Sequence, residues 1–436
     1  MRRWRIPLLL AGVLVQYCSG HHAVYYDKIG RTAILHLARE QYDEAKRYLA
    51  QYELTHEVVT HDTEKHLSKV RAGLPRHHRV FNDIATSEPA DFPLDVYHSA
   101  DDIDQFIDAL AKRYPTLTTI IPVGNSHEGR PMRILKVGHP SAKNQTKPKF
   151  WLDSMMHARE WISPSSMVYV MHQLATNSSY YDGTLNAVDF YLFPAANPDG
   201  YEYSRKHDLM WRKTRSGPHC EIVTDIPSSP LNKEDRGQEV TNRHRHHHHR
   251  HHDSECCYGV DPNRNYDFKW GYSDSSPVPC TNTFLGPEPF SEIESEHIKR
   301  MLHAIMPDVM VTLHSCGQEL IYPFNYDYVP AANADELQEA GDEIAEAMKQ
   351  ANPDNTQPYV VQLGAEMYPS SGASDDYAKS IGVRYVYTFE LPPSENDPEL
   401  IGYGFHLPEK YIVPTGKEVL AGVMSLATRV VKDKRI

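Results

Sequence analysis

The chain has no apolar run long enough to cross a membrane as a helix, which takes about 20 residues, and no internal repeat. A helical membrane protein and a stacked-repeat array are thereby excluded. Cations are in deficit. With 45 Lys and Arg against 58 Asp and Glu the formal net charge is −13, which disfavours nonspecific binding to nucleic acid or to an anionic membrane surface. Cysteine is sparse, at six residues in 436. The remainder, 40% hydrophobic and 24% charged, is a soluble globular composition with chain enough for one large domain and a smaller one.

The first twenty residues differ in character. Arg2, Arg3 and Arg5 precede an apolar stretch at 6–15, and the small residues Ser19 and Gly20 follow it. That order predicts a secretory signal over 1–20, cleaved after Gly20 and too short to span a bilayer. From 21 to 79 the chain is charged and helix-prone, with strands expected at 32–37 and 54–60 and helices at 41–51 and 63–71. Leu74-Pro75-Arg76-His77-His78-Arg79 then forms a basic linker open to proteolysis.

Further on, hydrophobic periodicity switches between helical and strand spacing. Residues 97–114 predict a helix with Ile103, Phe106, Ile107 and Leu110 on one face. Strands are expected at 117–123, 132–137, 149–153, 188–194, 309–313 and 385–389. Between them come helices at 163–175, with Ser163 as N-cap and Pro164 in first position, and at 291–305, with a Ser291–Glu294 capping box and Pro307 as stop. A last helix at 415–431 should bury Val419, Val423, Leu426 and Val430. Strands alternating with helices make the fold class α/β, a mixed sheet between helical layers.

The 149–153 strand runs directly into Met155-Met156-His157-Ala158-Arg159-Glu160-Trp161. A histidine and a carboxylate three residues apart then sit at a strand's carboxyl end, the edge at which open α/β sheets bind ligands. Imidazole plus carboxylate is two thirds of a catalytic zinc site. The stretch resembles the zinc motif of the pancreatic-type metallocarboxypeptidases, the A/B branch. More matches follow in that family's order across most of 95–436: Asn197-Pro198-Asp199-Gly200-Tyr201, Trp211-Arg212-Lys213-Thr214-Arg215, Asp261-Pro262-Asn263-Arg264-Asn265, Leu313-His314-Ser315 and Thr388-Phe389-Glu390-Leu391. One such match is a weak signal; the set in register is specific.

The resemblance implies an α/β/α sandwich on a mixed, mostly eight-stranded sheet over 80–436, preceded by an activation pro-segment over 21–79. Only the second half of the family's pro-segment has a counterpart, so this small α/β unit is expected to be truncated. The resemblance further implies one zinc ion per chain held by His157, Glu160 and His314, with Glu390 as general base and Arg212 as oxyanion donor. Arg264 with Asn263 matches the pair that receives the terminal carboxylate of a peptide, a task suited to a planar guanidinium. Tyr368 matches the mobile tyrosine that closes over the substrate, and Arg159 the contact to the next residue inward. Asp375 falls at the base of the pocket for the terminal side chain, where A-type members carry an apolar residue and B-type members aspartate. The expectation is a secreted exopeptidase, made as a zymogen, activated by a protease near Arg76 or Arg79, and selective for C-terminal Arg and Lys. The alternatives are A-type selectivity, an amidase or endopeptidase using the same metal, and a catalytically silent relative that binds peptides or metals.

Residues 217–256 have no counterpart in that family. They carry Pro227-Ser228-Ser229-Pro230 and the run from His244 to His252, which predicts a disordered loop, with metal binding by the histidines as the other reading. Loss of Cys18 with the signal leaves five cysteines, an odd number. Cys257 and Cys280 match the family's disulfide, Cys220 and Cys256 flank the insert and could staple its base, and Cys316 stands where the family has tyrosine, expected as a buried thiol. Asn144-Gln145-Thr146 and Asn177-Ser178-Ser179 are sequons compatible with glycosylation.

Overall fold

The computed structural model describes residues 88–434 apart from 142–145, 221–255, 395 and 398, together with the segments 12–17, 23–24, 32–37, 42–51 and 55–60. Arg76, Arg79, the expected 63–71 helix, the run of histidines and the sequon residue Asn144 lie outside the described residues.

Eight strands form the main sheet: β1 (Thr118–Asn125), β2 (Pro131–Val137), β3 (Lys149–Asp153), β4 (Asp189–Phe193), β5 (Val309–Gly317), β6 (Glu319–Tyr322), β7 (Val360–Leu363) and β8 (Tyr385–Ser394), in the spatial order β7-β6-β8-β5-β3-β4-β2-β1. The middle four, β8, β5, β3 and β4, are parallel. Antiparallel pairings flank them. Both faces of the parallel block are covered, as such strands require.

Alternation along the strands decides which face each residue serves. Phe150, Leu152, Val309, Val311, Leu313, Tyr385, Tyr387 and Phe389 enter one core with helices α1 (Ala100–Arg113), α2 (Ile162–Thr176), α5 (Ala334–Ala351) and α7 (Ile412–Asp433). Trp151, Met310 and Val386 enter the other with α4 (Ile293–Ile305) and α6 (Ser374–Ser380); α3 (Pro198–Lys206) lies between β4 and the segment carrying Arg212. Trp151 is fully buried, and its truncation to alanine would cost about 3–5 kcal/mol. Asp153, Thr312, His314, Thr388 and Glu390 continue the phase of this second face toward the carboxyl ends of their strands. There the apolar layer gives way to polar side chains.

Several expected boundaries move. The last helix runs over 412–433, longer at both ends than expected. Ser163 does not cap α2, which begins at Ile162; its Oγ instead accepts the Met155 N–H at 3.2 Å. No Ser291–Glu294 capping box forms, because Ser291 Oγ accepts from Asn265 at 3.0 Å and Glu294 accepts from His127 N at 2.9 Å. A cap is worth about 1 kcal/mol, so tertiary partners of similar strength displace it. Helix α5 was not among the expected elements, although Leu337, Ile344 and Met348 form its buried stripe.

Ahead of this domain, Gly12–Tyr17, Ala23–Val24, Thr32–Leu37 and Thr55–Thr60 make a separate four-stranded sheet, and Tyr42–Gln51 is a helix. Gly12–Tyr17 pairs in parallel with Thr32–Leu37 on one side and Thr55–Thr60 on the other. Residues 12–15, the described part of the apolar run expected as a leader, lie in an inner strand of this sheet.

Candidate active site

Strand β3 ends at Asp153, and the chain turns sharply through Met155, whose φ of 65° is a left-handed conformation uncommon for a residue with a side chain. Ser163, on the first turn of α2, holds that turn by its hydrogen bond to Met155 N. The turn brings His157 and Glu160 under the end of β5, where His314 arrives. His157 Nδ1 lies 2.8 Å from Glu160 Oε1, His314 Nδ1 lies 3.0 Å from Glu160 Oε2, and the two Nδ1 atoms are 3.0 Å apart. All three side chains are buried, with their ligand atoms within 4.8 Å of one another.

This donor set fits zinc. Tetrahedral coordination with metal–nitrogen bonds of about 2.0–2.1 Å places neighbouring ligand atoms about 3.3 Å apart. His157 Nε2 donates to Asp261 Oδ1 at 3.2 Å, which leaves Nδ1 with a lone pair aimed at a carboxylate oxygen. In the neutral ring that lone pair and the Glu160 carboxylate converge on one point, as two ligands of a shared metal ion do. Burial alone would raise the Glu160 carboxyl, yet His157 and His314 hold it well below the usual range.

Asp261, whose role its motif does not reveal, is the hinge of the site. Besides taking the His157 N–H, it accepts from Arg212 Nε at 2.9 Å through Oδ2 and from Asn263 N at 3.0 Å through Oδ1. Burial pushes its carboxyl up, but Arg212 and His157 outweigh that and keep it well below the usual carboxylate range. A carboxylate behind a metal-ligating histidine fixes the ring's tautomer and orientation. The same carboxylate orients Arg212, whose NH1 reaches within 3.8 Å of Glu160.

Asn197 is a second positioning residue. Its Nδ2 donates to Met156 O and to Lys213 O, each at 3.1 Å, and its Oδ1 accepts from Gly200 N at 3.0 Å. It therefore clamps the residue before His157 to the residue after Arg212. Gly200 must stay glycine, since a Cβ there would meet Lys213 O at 2.4 Å.

Glu390 stands on β8 beside His314, its register partner, and is partly exposed. Burial pushes its carboxyl up despite His314, with Glu160 and Glu319 acting in the same direction as burial. Arg264 is buried and anchored: Nε donates to Asp274 O at 2.8 Å, NH2 to Asp274 Oδ2 at 3.2 Å and NH1 to Asn263 O at 2.8 Å. Each terminal nitrogen keeps one further N–H. Tyr368 shares the electrostatic field of Arg264, Arg212 and Glu390. Asn263 Oδ1 accepts from Ser374 N at 2.9 Å, tying this loop to α6. Arg159 is the outlier: it is 1% exposed, donates to Met210 O at 3.3 Å and lies over the Phe405 ring at 4.3 Å.

On α6, Asp375 is 2% exposed. Its Oδ2 accepts from Asn325 Nδ2 at 2.7 Å and Thr388 Oγ1 at 2.8 Å, and its Oδ1 from Asp376 N at 2.9 Å. Asn325 lay outside every motif read from the sequence. Cysteines 220 and 256 are bridged, as are 257 and 280; the first bridge closes the base of the insert, where His219–Cys220 pairs with Cys256–Cys257. Cys316, outside both disulfides, is partly exposed rather than buried.

A parallel block with two imidazoles and a carboxylate converging at its carboxyl edge, ringed by buried arginines, defines a zinc metallopeptidase of α/β/α architecture. Residues 103–422 match the family model described as zinc carboxypeptidase. Carboxypeptidase B of Astacus astacus is 35% identical over 340 residues, covering 77% of this chain and 97% of its own. Carboxypeptidase A2 of Rattus norvegicus is 30% identical over 359 residues, covering 81% and 75%. The crystal structure of carboxypeptidase A from Helicoverpa armigera aligns with a TM-score of 0.74 at 25% identity, over 93% of this chain and 91% of that one. The chain belongs to the zinc carboxypeptidase family: it is a metallocarboxypeptidase of the A/B type, acting on peptides. Among the described residues no helix is long and apolar enough to cross a membrane.

Proposed function

We propose that this carboxypeptidase removes C-terminal Arg and Lys. The observation that carries the proposal is Asp375, a buried carboxylate whose hydrogen-bond partners among the described residues, Asn325, Thr388 and the Asp376 N–H, are all neutral. A buried anion without a cationic partner is costly. A substrate ammonium or guanidinium supplies that partner; a Phe or Leu side chain leaves the charge unmet.

Zinc held by His157, Glu160 and His314 would supply Lewis acidity and an acidified water. Glu390 takes the proton from the attacking water and passes it to the leaving amine. Arg212, kept charged and aimed by Asp261, stabilises the oxyanion that forms as the carbonyl is attacked. Arg264 presents its two remaining terminal N–H groups to the substrate's terminal carboxylate, with Asn263 beside it, and Tyr368 closes over the bound end. Arg159, whose guanidinium lies against the Phe405 ring, contacts the next residue inward.

The chain is proposed to be secreted, a reading supported by its two disulfides, and to be made as a zymogen whose segment before residue 80 covers the cleft. A protease cutting near Arg76 or Arg79 would release it, and the trimmed chain should be more active than the full chain. Specificity is tested by terminal-residue release from matched peptides ending in Arg, Lys, Phe or Leu, with and without a chelator. Selective release of Arg and Lys that Asp375→Ile shifts toward apolar termini is the expected result. Equal cleavage of Phe and Arg by the wild type would overturn it.

A further inference from the structure

We infer that Asn325 and Thr388 restrict Asp375 to one free acceptor position, so that the pocket reads a terminal cation through a single hydrogen bond and takes C-terminal Lys at least as well as C-terminal Arg. This rests on the basic selectivity proposed above.

A carboxylate offers about four acceptor positions, two on each oxygen. Asn325 Nδ2 at 2.7 Å and Thr388 Oγ1 at 2.8 Å fill both positions on Oδ2, and Asp376 N at 2.9 Å fills one on Oδ1. The position that remains is on Oδ1. The fork of a guanidinium draws its advantage from two parallel bonds, one to each carboxylate oxygen, and here one oxygen is already saturated. An ammonium needs only one acceptor and loses nothing.

The arrangement is built rather than incidental. Asn325 Nδ2 also donates to Asp376 Oδ1 at 3.0 Å, so the amide bridges the two neighbouring carboxylates. Asn325 N and Tyr326 N donate to Asp376 at 2.7 and 3.0 Å, and Ser370 N donates to Asn325 O at 2.8 Å. A Cβ on Gly364 would stand 1.8 Å from Asn325 Oδ1, so glycine at that position is what makes room for the amide. The Thr388 backbone is held by strand pairing with Thr312. Asn325 cannot leave Asp375 without breaking its bond to Asp376.

The test compares kcat/KM for matched peptides ending in Lys, Arg and Phe in the wild type, Thr388→Val and Asn325→Ala. Valine keeps the shape of threonine and frees one position on Oδ2. The wild type is expected to cleave Lys at least as efficiently as Arg, and Thr388→Val to raise the Arg-to-Lys ratio about tenfold, the scale of one charge-assisted hydrogen bond. Asn325→Ala should move the ratio the same way; should it fail to fold, Thr388→Val alone decides. A wild type that prefers Arg tenfold or more, or a ratio unchanged in folded Thr388→Val, overturns the inference while the basic selectivity stands. Failure of the selectivity itself is recognised separately, by the Lys-to-Phe ratio of the wild type, and removes the basis for both.

Discussion

His314 and Glu390 are register partners on the adjacent parallel strands β5 and β8, so one interstrand spacing, about 4.8 Å, separates the backbones that carry a zinc donor and the carboxylate proposed as base. Neither residue depends on a loop for its position. Groups held this way need little rearrangement when substrate binds, whereas His157 and Glu160 sit on a turn and need Asp261, Asn197 and Ser163 to hold them.

Glu390→Gln keeps the strand pairing and removes the proton acceptor. One zinc per chain and an unchanged melting temperature are expected, with kcat reduced at least about a hundredfold. A variant retaining more than about a tenth of the wild-type kcat would exclude Glu390 as the base.

Asp261→Asn replaces one acceptor oxygen by an N–H group, so the side chain can no longer serve His157 and Arg212 together. Zinc affinity should fall about 10–100-fold, measured by competition with a chelator, and kcat should fall with zinc saturating because Arg212 loses its anchor. Wild-type zinc affinity would mean that the bond to His157 does not tune the ligand.

Glu294 is buried, accepts the His127 N–H through Oε1 at 2.9 Å and has no hydrogen-bond partner at Oε2 among the described residues. Burial, aided by Glu292 and Asp199, pushes its carboxyl from 4.5 up to about 7. The folded state therefore favours the protonated form, and ionisation penalises folding progressively between 4.5 and 7 and fully above that window. Glu294→Gln should stabilise the protein by about 1–3 kcal/mol at pH 8 and give no gain at pH 4.5 or below. Melting temperatures of both proteins across that range test it; a pH-independent difference would rule out the titration.

Replacing residues 221–255 by a short Gly-Ser turn should leave kcat and KM within a few fold when zinc is saturating. Cys220 and Cys256 already bring the ends of the insert to a Cα separation of 4.0 Å, so the excision need not pull on Arg212 or Asn263. Loss of activity in a folded deletion variant would make the insert part of the site.

Much of this was legible along the chain because it is set by local spacing. Short apolar runs marked six of the eight strands of the main sheet, and the His157–Glu160 interval placed two candidate donors at a strand end. The short β6 and β7, of four residues each, carry too few alternations to stand out. Helix α5 shows the opposite difficulty: small Ala340 and Gly341 sit in its buried stripe and blur the pattern. Caps at Ser163 and Ser291 were misread because a hydroxyl satisfies whichever neighbour reaches it, and the neighbours that do so are brought by the fold.

The relations that govern chemistry and selectivity span long loops. Asp261 meets His157 across 104 residues and Arg212 across 49, and Asn325 meets Asp375 across 50. Residue order put a histidine, a carboxylate, an arginine and an aspartate at strand ends and in loops, since side-chain type and periodicity act over a few residues. Which of these side chains share a proton, which saturate an oxygen and which face a cation depends on packing distant segments to within hydrogen-bond distance, and no periodicity reaches that far.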